Sequence, residues 1–203
     1  MPAARRGGSV TAVDRTDRLL TIPNVISVLR LLGVPLFLYL LLVAERDVAA
    51  LVVLIVGGGT DWLDGWVARR LGQVSRFGAM LDPVADRLYI LATLGAFTWR
   101  EIIPWQFTVA LLLRELMLTV GLALLRRAGY GPVPVHYLGK TATFLLLAAF
   151  PVLLLAVAVP GSAAWADPVG WALAWWGLGL YWVAGVFYVG QMVSLLRRGS
   201  VRT

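Results

Sequence analysis

The 203-residue chain contains no cysteine, and its single histidine is His136. The absence of cysteine excludes disulfide bonds, thiolate zinc sites and cysteine nucleophiles, and one histidine excludes a histidine-rich metal centre. Any metal bound by this chain must therefore be held by oxygen ligands. Such ligands favour hard divalent cations such as Mg²⁺, Mn²⁺ or Ca²⁺.

Charged residues are also scarce, at 14% of the chain, whereas 60% of the residues are hydrophobic. A soluble domain carries roughly 25% charged residues, so this chain has too little polar surface to coat a globule in water. The apolar residues form long runs, such as Val28 to Val43, which is interrupted by a single charge at Arg30. Runs of about 20 apolar residues are typical of transmembrane helices.

We therefore expect an all-α integral membrane protein with six transmembrane helices. A cytoplasmic tail with a short juxtamembrane helix is expected over residues 1–20, the six-helix domain over 21–197, and a second cytoplasmic tail over 198–203. The predicted helices are 24–43, 48–70, 78–99, 105–126, 136–158 and 170–196, with the longest connection at Pro160 to Asp167.

The basic residues predict the orientation of this bundle. The connections on the side of the termini, with the helix ends beside them, hold thirteen basic residues, whereas the opposite connections hold two, Arg46 and Arg100. Because positive residues stay inside, both termini should be cytoplasmic, and the cell membrane is the expected location. The net charge of +7 suits anionic lipid. A nucleic-acid partner is not expected, because the basic residues lie mostly at helix ends.

Acidic residues inside the predicted spans are the central feature of the sequence. A charge at membrane depth costs about 2.5–3.5 kcal/mol on insertion scales, so such residues usually face a functional interior. Two pairs lie three and four residues apart, which places each pair on one face of its helix. Carboxylates gathered at one depth repel each other unless one or two divalent cations compensate them. The alternative is a set of salt bridges with nearby arginines. The pairs are Asp61 with Asp64 and Asp82 with Asp86, and the arginines are Arg69, Arg70, Arg76 and Arg87.

The acids belong to the longer pattern Asp61-x2-Asp64-Gly65-x2-Ala68-Arg69-x8-Gly78-x3-Asp82-x3-Asp86. With these residue types at these spacings, the chain resembles the CDP-alcohol phosphatidyltransferase family. The stretch from Pro23 to Arg30 is similar to the family's usual entry into the first helix. The resemblance covers roughly residues 20 to 195 and implies six helices, a divalent cation (Mg²⁺ or Mn²⁺, with two ions expected) and a homodimer.

The resemblance also implies a role for each matched residue. Three aspartates would bind the metal that holds the diphosphate of the CDP-linked donor. Asp86 would be the general base that takes the proton of the acceptor hydroxyl, and it could also touch the second metal. The remaining matched residues would form the pocket of the donor nucleotide. The metal ligands are Asp61, Asp64 and Asp82, and the pocket residues are Asn24, Arg30, Gly65, Ala68, Arg69 and Gly78.

Two cations further along the chain, Arg114 and Lys140, are candidate ligands of an anionic acceptor. Alternatively, Arg114 forms an internal ion pair with Glu115, and Lys140 reaches to the membrane edge. The run from Arg114 to Leu118 resembles cardiolipin synthases, and Gly139 to Thr143 resembles an element that these share with phosphatidylglycerophosphate synthases.

These elements imply a glycerol-type acceptor. Glycerol 3-phosphate is dianionic and should require an additional basic residue in its binding site, whereas phosphatidylglycerol is a monoanionic diester. We therefore expect phosphatidylglycerol as the acceptor and cardiolipin and CMP as products, with glycerol 3-phosphate as the alternative. A cation transporter or metal-binding membrane protein is a remote alternative, because the paired acids lie in one hairpin and have no counterpart in a second half.

Overall fold

A computed structural model describes the backbone of residues 22–71, 76–127 and 137–199, and the side chains of residues 28–59, 87–127 and 137–194. The described backbone forms six helices and their short connections, which confirms the all-helical prediction. The first five helices begin and end within two residues of the predicted positions. They are α1 (Ile22–Leu42), α2 (Asp47–Leu71), α3 (Arg76–Trp99), α4 (Trp105–Arg127), α5 (Tyr137–Ala158) and α6 (Ala163–Gly199).

The start of α6 is the main difference from the prediction, because the helix begins at Ala163, seven residues before the expected start at 170. Ser162 makes this early start possible. Its hydroxyl lies 2.7 Å from the carbonyl oxygen of Leu155 and 2.8 Å from that of Val159 at the end of α5. Its own carbonyl accepts from the N–H of Trp165 at 3.1 Å. Pro168 is then the sixth residue of the helix, so its missing N–H removes one hydrogen bond near an end.

Three helices are long and apolar enough to cross a membrane within the part of the chain whose side chains are described. They are Trp105–Arg127, Tyr137–Ala158 and Ala163–Ser194. In α1 and α2 the described side chains form shorter apolar segments, Val28–Leu42 and Asp47–Gly59. Large apolar side chains also point outward from the bundle, as lipid-facing side chains do. These observations support a membrane protein, and six complete spans remain a prediction.

The helices pack in a closed sequence of neighbours. α1 contacts α2 and α3, α2 contacts α5, α5 contacts α6, α6 contacts α4, and α4 meets α3. The seam between α5 and α6 is the most extensive and depends on two glycines of α6. A Cβ at Gly170 would lie 2.8 Å from Leu153 Cγ, and a Cβ at Gly177 would lie 2.9 Å from Leu146 Cγ. Small residues therefore let these helices approach closely, as in other membrane bundles.

One ion pair joins the first three helices at the end away from the motif aspartates of α2 and α3. The Arg100 guanidinium donates to both carboxylate oxygens of Asp47, at 3.0 and 3.2 Å, and to the carbonyl oxygen of Leu41 at 2.5 Å. Asp47 is the first residue of α2, where a negative charge complements the helix dipole. This contact fixes the end of α3 against the end of α1 and the start of α2.

Candidate functional site

The predicted donor-site residues lie on the first three helices. The backbone is continuously helical through Asp61 and Asp64 in α2 and through Asp82 and Asp86 in α3. Each pair therefore has the helical spacing that the sequence predicted. The side chain of Arg30 is described and is buried on α1, at 5% exposure. The other predicted donor-site side chains lie outside the described ones: Asn24, Asp61, Asp64, Gly65, Ala68, Arg69, Gly78, Asp82 and Asp86.

A cleft of about 680 Å³ lies between α2, α3, α4, α5 and α6. One end of the cleft is polar and is lined by Arg87, Glu115, Thr143 and Tyr181. The remaining lining side chains are mostly apolar and include Tyr89 and Thr93 of α3, together with Gly58 and Gly59 of α2. The volume falls within the range of about 300–1,000 Å³ that is usual for ligand pockets.

Glu115 of α4 is the centre of the polar end. One of its carboxylate oxygens lies 3.1 Å from a terminal nitrogen of Arg87 of α3. The other accepts a hydrogen bond of 2.9 Å from the Tyr181 hydroxyl of α6 and lies 3.5 Å from Arg114. Glu115 thereby connects three helices around the cleft. The sequence had offered only an ion pair between Glu115 and Arg114, and the structure adds the contacts with Arg87 and Tyr181.

Arg114 itself is held on α6. The centre of its guanidinium lies 3.6 Å from the centroid of the Tyr181 ring, and its Nε donates to the Tyr181 carbonyl oxygen at 3.2 Å. Only 7% of its side chain is exposed. The described contacts of the Arg114 guanidinium are all with neighbouring residues of the protein. A contact between Arg114 and the acceptor therefore stays a prediction.

Lys140 lies apart from this network. Its ammonium nitrogen is 5.7 Å from the centroid of the Tyr137 ring at the start of α5, and the residue is exposed. Among the described side chains, no ion pair joins Lys140 to an acid. The structure therefore does not bring Arg114 and Lys140 together into one anion site.

Sequence reasoning had not assigned functional roles to Arg87 and Tyr181. The sequence offers Arg87 as a salt-bridge partner of the motif aspartates, and among the described side chains it pairs with Glu115, 28 positions along the chain. Tyr181 lies in a part of α6 that is rich in aromatic residues, so little in the sequence distinguishes it from its neighbours. The one available signal was a phenol and a carboxylate placed in otherwise apolar helices, where each needs a polar partner.

The glycines before the motif have two separate roles. The Tyr89 ring fills the space beside Gly57, where a Cβ would lie 2.7 Å from Tyr89 Cζ. The Tyr89 hydroxyl lies 3.1 Å from the carbonyl oxygens of both Val53 and Leu54, so the ring fastens α3 to α2. A Cβ at Gly59, by contrast, would meet nothing within 4 Å, and this residue lines the cleft.

No group of three or more His, Cys, Asp or Glu side chains that could hold a metal ion occurs among residues 28–59, 87–127 and 137–194. The motif aspartates lie outside these side chains, and a metal site on them stays a prediction. Their carboxylates are the oxygen donors that Mg²⁺ and Mn²⁺ prefer, and their helical backbone gives each pair a common face.

The aspartate pattern on α2 and α3 and the long apolar helices of the bundle fit a phosphatidyltransferase of the membrane. The model of the CDP-alcohol phosphatidyltransferase family matches residues 20–183, and the chain belongs to this family. It is therefore an enzyme that transfers a substituted phosphate group from a CDP-activated donor.

Three relatives with names in this family are similar to the chain over most of its length. The chain is 54% identical over 188 residues to a Streptomyces coelicolor protein named cardiolipin synthase (CMP-forming), covering 90% of this chain and 87% of the relative. A Mycobacterium tuberculosis protein with a provisional cardiolipin synthase name is 40% identical over 182 residues, with the same coverage. A Bacillus subtilis CDP-diacylglycerol–glycerol-3-phosphate 3-phosphatidyltransferase is 29% identical over 151 residues, covering 68% of this chain and 78% of the relative.

Proposed function

We propose that this enzyme is a CMP-forming cardiolipin synthase, which transfers the phosphatidyl group of CDP-diacylglycerol to a hydroxyl of phosphatidylglycerol and releases CMP. The observation that carries this proposal is the 54% identity to the Streptomyces coelicolor cardiolipin synthase over 90% of the chain. The glycerol-3-phosphate transferase of Bacillus subtilis is similar over a shorter part and at 29% identity.

The donor side of the proposed site lies on α1, α2 and α3. Asp61, Asp64 and Asp82 would hold divalent cations, Mg²⁺ or Mn²⁺ and two in number, on the diphosphate of the donor. Bound there, the cations would neutralise the charge that develops as CMP leaves. The small residues Gly65, Ala68 and Gly78 would let the nucleotide approach the helices, with Asn24, Arg30 and Arg69 completing the pocket.

The proposed reaction is a single displacement. The acceptor hydroxyl oxygen forms a bond to the phosphorus that carries diacylglycerol, and the bond from this phosphorus to the CMP oxygen breaks. Asp86, which follows Asp82 by one turn of α3, takes the hydroxyl proton. Positioning and charge stabilisation supply most of the acceleration, as in phosphoryl transfer generally, and no covalent enzyme intermediate is required.

On the acceptor side, the charges of the cleft favour a monoanion. Among the described side chains, Arg87 and Arg114 face the single carboxylate of Glu115, so these three groups together carry one net positive charge. We propose that Arg114 contributes by holding Glu115 and Tyr181 in place. Lys140, at the start of α5, would attract anionic lipid near the membrane surface.

The proposed arrangement in the membrane has six spans, both termini in the cytoplasm, the active site on the cytoplasmic side of the plasma membrane, and two copies per assembly. The lack of native cysteine offers a direct test of the orientation. An impermeant maleimide should label the single cysteine of Arg46→Cys in sealed cells. It should label that of Arg202→Cys only when it can reach the inside of the membrane. Labelling of both from the same side would contradict the arrangement.

The acceptor is tested by supplying purified enzyme with CDP-diacylglycerol and either phosphatidylglycerol or glycerol 3-phosphate. CMP release and cardiolipin formation are expected when phosphatidylglycerol is the acceptor, and not when glycerol 3-phosphate is. Asp61→Asn should abolish both products, whereas Asp167→Asn, an exposed position in α6, should not. Turnover with glycerol 3-phosphate and none with phosphatidylglycerol would refute the proposal and establish the phosphatidylglycerophosphate synthase alternative.

A further inference from the structure

The cleft that α2, α3, α4, α5 and α6 form together changes from polar to mostly apolar along its length. From its polar end it follows α3 from Arg87 to Leu94 and α5 from Thr143 to Pro151. At 1.5 Å per residue these segments are about 10 and 12 Å long. One leaflet of a bilayer has a hydrocarbon thickness of about 15 Å, half of the roughly 30 Å core, so the cleft covers most of one leaflet.

The apolar part of this cleft is accessible from the outside of the bundle. Five of its apolar lining side chains are about half exposed or more: Ile55 (52%), Ile90 (50%), Leu91 (50%), Leu147 (48%) and Phe144 (69%). A molecule could therefore enter sideways from the lipid. Such a molecule would need a flexible apolar part of leaflet length and a polar part at the Arg87 end.

Arg87 has the position and the chemistry to meet that polar part. Its side chain is 62% exposed, and the pair with Glu115 uses one terminal nitrogen of a group that carries five N–H donors. It directly follows Asp86 in α3. A phosphodiester bound by Arg87 would therefore lie at about the same depth in the membrane as the proposed base, since consecutive helical residues differ by about 1.5 Å along the axis.

On the basis of the proposed function, we propose that the cleft binds one acyl chain of the acceptor phospholipid, that Arg87 contacts its phosphodiester, and that Glu115 positions Arg87. The proposed donor ligands lie on α1 to α3, whereas the polar end of the cleft includes Glu115 of α4 and Tyr181 of α6. This division assigns the cleft to the second lipid. A soluble glycerol phosphate would leave the apolar length unfilled.

The acyl-chain site is tested with Ala148→Phe, which adds a ring in the middle of the cleft wall on α5. Its matched control is Ala172→Phe at an exposed position of α6 outside the lining. Ala148→Phe should raise the KM for dioleoyl-phosphatidylglycerol about tenfold, and change the KM for the dihexanoyl form and for CDP-diacylglycerol less than about twofold. A rise in the KM for CDP-diacylglycerol, or no change in any KM, would overturn the assignment.

A measurement on the unmodified enzyme covers the case in which Ala148→Phe does not fold. Phosphatidylglycerol with a photoreactive group in one acyl chain should label residues 89–94 of α3 or 146–151 of α5, and the same label on CDP-diacylglycerol should not. Labelling of these segments by the donor probe alone, or by neither probe, would refute the proposal.

The polar contact is tested by Arg87→Gln, which should raise the KM for dioleoyl-phosphatidylglycerol about tenfold or more through loss of a charge-assisted hydrogen bond. Arg87→Lys should recover part of this loss, and Glu115→Gln should raise the same KM without affecting the KM for CDP-diacylglycerol. An unchanged acceptor KM in Arg87→Gln would remove Arg87 from the site. Failure of the proposed function is distinguished by the unmodified enzyme, which would then form no cardiolipin.

Discussion

The role of Arg114 can be decided by replacing it with glutamine. The substitution removes the stacking of the guanidinium on the Tyr181 ring at 3.6 Å and the hydrogen bond from Nε to the Tyr181 carbonyl oxygen at 3.2 Å. A desolvated cation–π contact contributes about 2 kcal/mol and a hydrogen bond about 1 kcal/mol. We therefore expect Arg114→Gln to lower the free energy of unfolding by about 3 kcal/mol.

The assay is thermal unfolding of the purified protein in detergent, combined with acceptor kinetics. At roughly 2–4 °C per kcal/mol for a chain of this length, Arg114→Gln should lower Tm by about 6–12 °C. Arg114→Lys keeps the charge and should lose about half as much, because the flat stack and the Nε donor are gone. Arg127→Gln, an exposed control on the same helix, should leave Tm unchanged. An unchanged Tm with a raised acceptor KM in Arg114→Gln would refute the supporting role and make Arg114 a ligand.

Three further outcomes are expected. Asp86→Asn should abolish CMP release without changing Tm, with Asp167→Asn as the active control; retained CMP release would remove Asp86 as the base. Gly177→Val should reduce stability by about 1–3 kcal/mol, because its Cβ would lie 2.9 Å from Leu146 Cγ, whereas Gly179→Val meets nothing within 4 Å and should not. Equal effects of the two valines in thermal unfolding would contradict this account. Chelation by EDTA should stop CMP release, and added Mg²⁺ or Mn²⁺ should restore it; full activity in EDTA would contradict the proposed metal.

The helices were predictable because their signals are local. Apolar runs broken by charges and prolines mark the ends of α1 to α5, and Pro104 directly precedes Trp105, the first residue of α4. The start of α6 was not predictable in this way. Pro168 and Gly170 suggest a break, and the deciding contacts are those of the Ser162 hydroxyl with carbonyl oxygens of the preceding helix end.

The donor side and the acceptor side of the candidate site also differ in how far the sequence predicts them. The aspartate motif is readable because its spacing within two adjacent helices carries the information. The acceptor side depends on contacts between distant parts of the chain, such as Glu115 with Arg87 and with Tyr181. Helical periodicity gives the face on which a residue lies, but not which helix packs against that face. The cleft, which five helices build together, therefore had no signal in the sequence.

The length of α6 has a consequence for how the enzyme sits in its bilayer. Its 37 residues extend about 55 Å, whereas the hydrocarbon core is roughly 30 Å thick. At a typical tilt of about 20° the core accommodates little more than 30 Å of helix, so more than 20 Å of α6 must project into the headgroup layers or beyond. Trp165 lies near one end and Arg197 and Arg198 near the other, which are residue types that anchor at interfaces. Because α6 packs along α5 and α4, a bilayer of different thickness would change the depth of the whole cleft relative to the headgroups of its substrates.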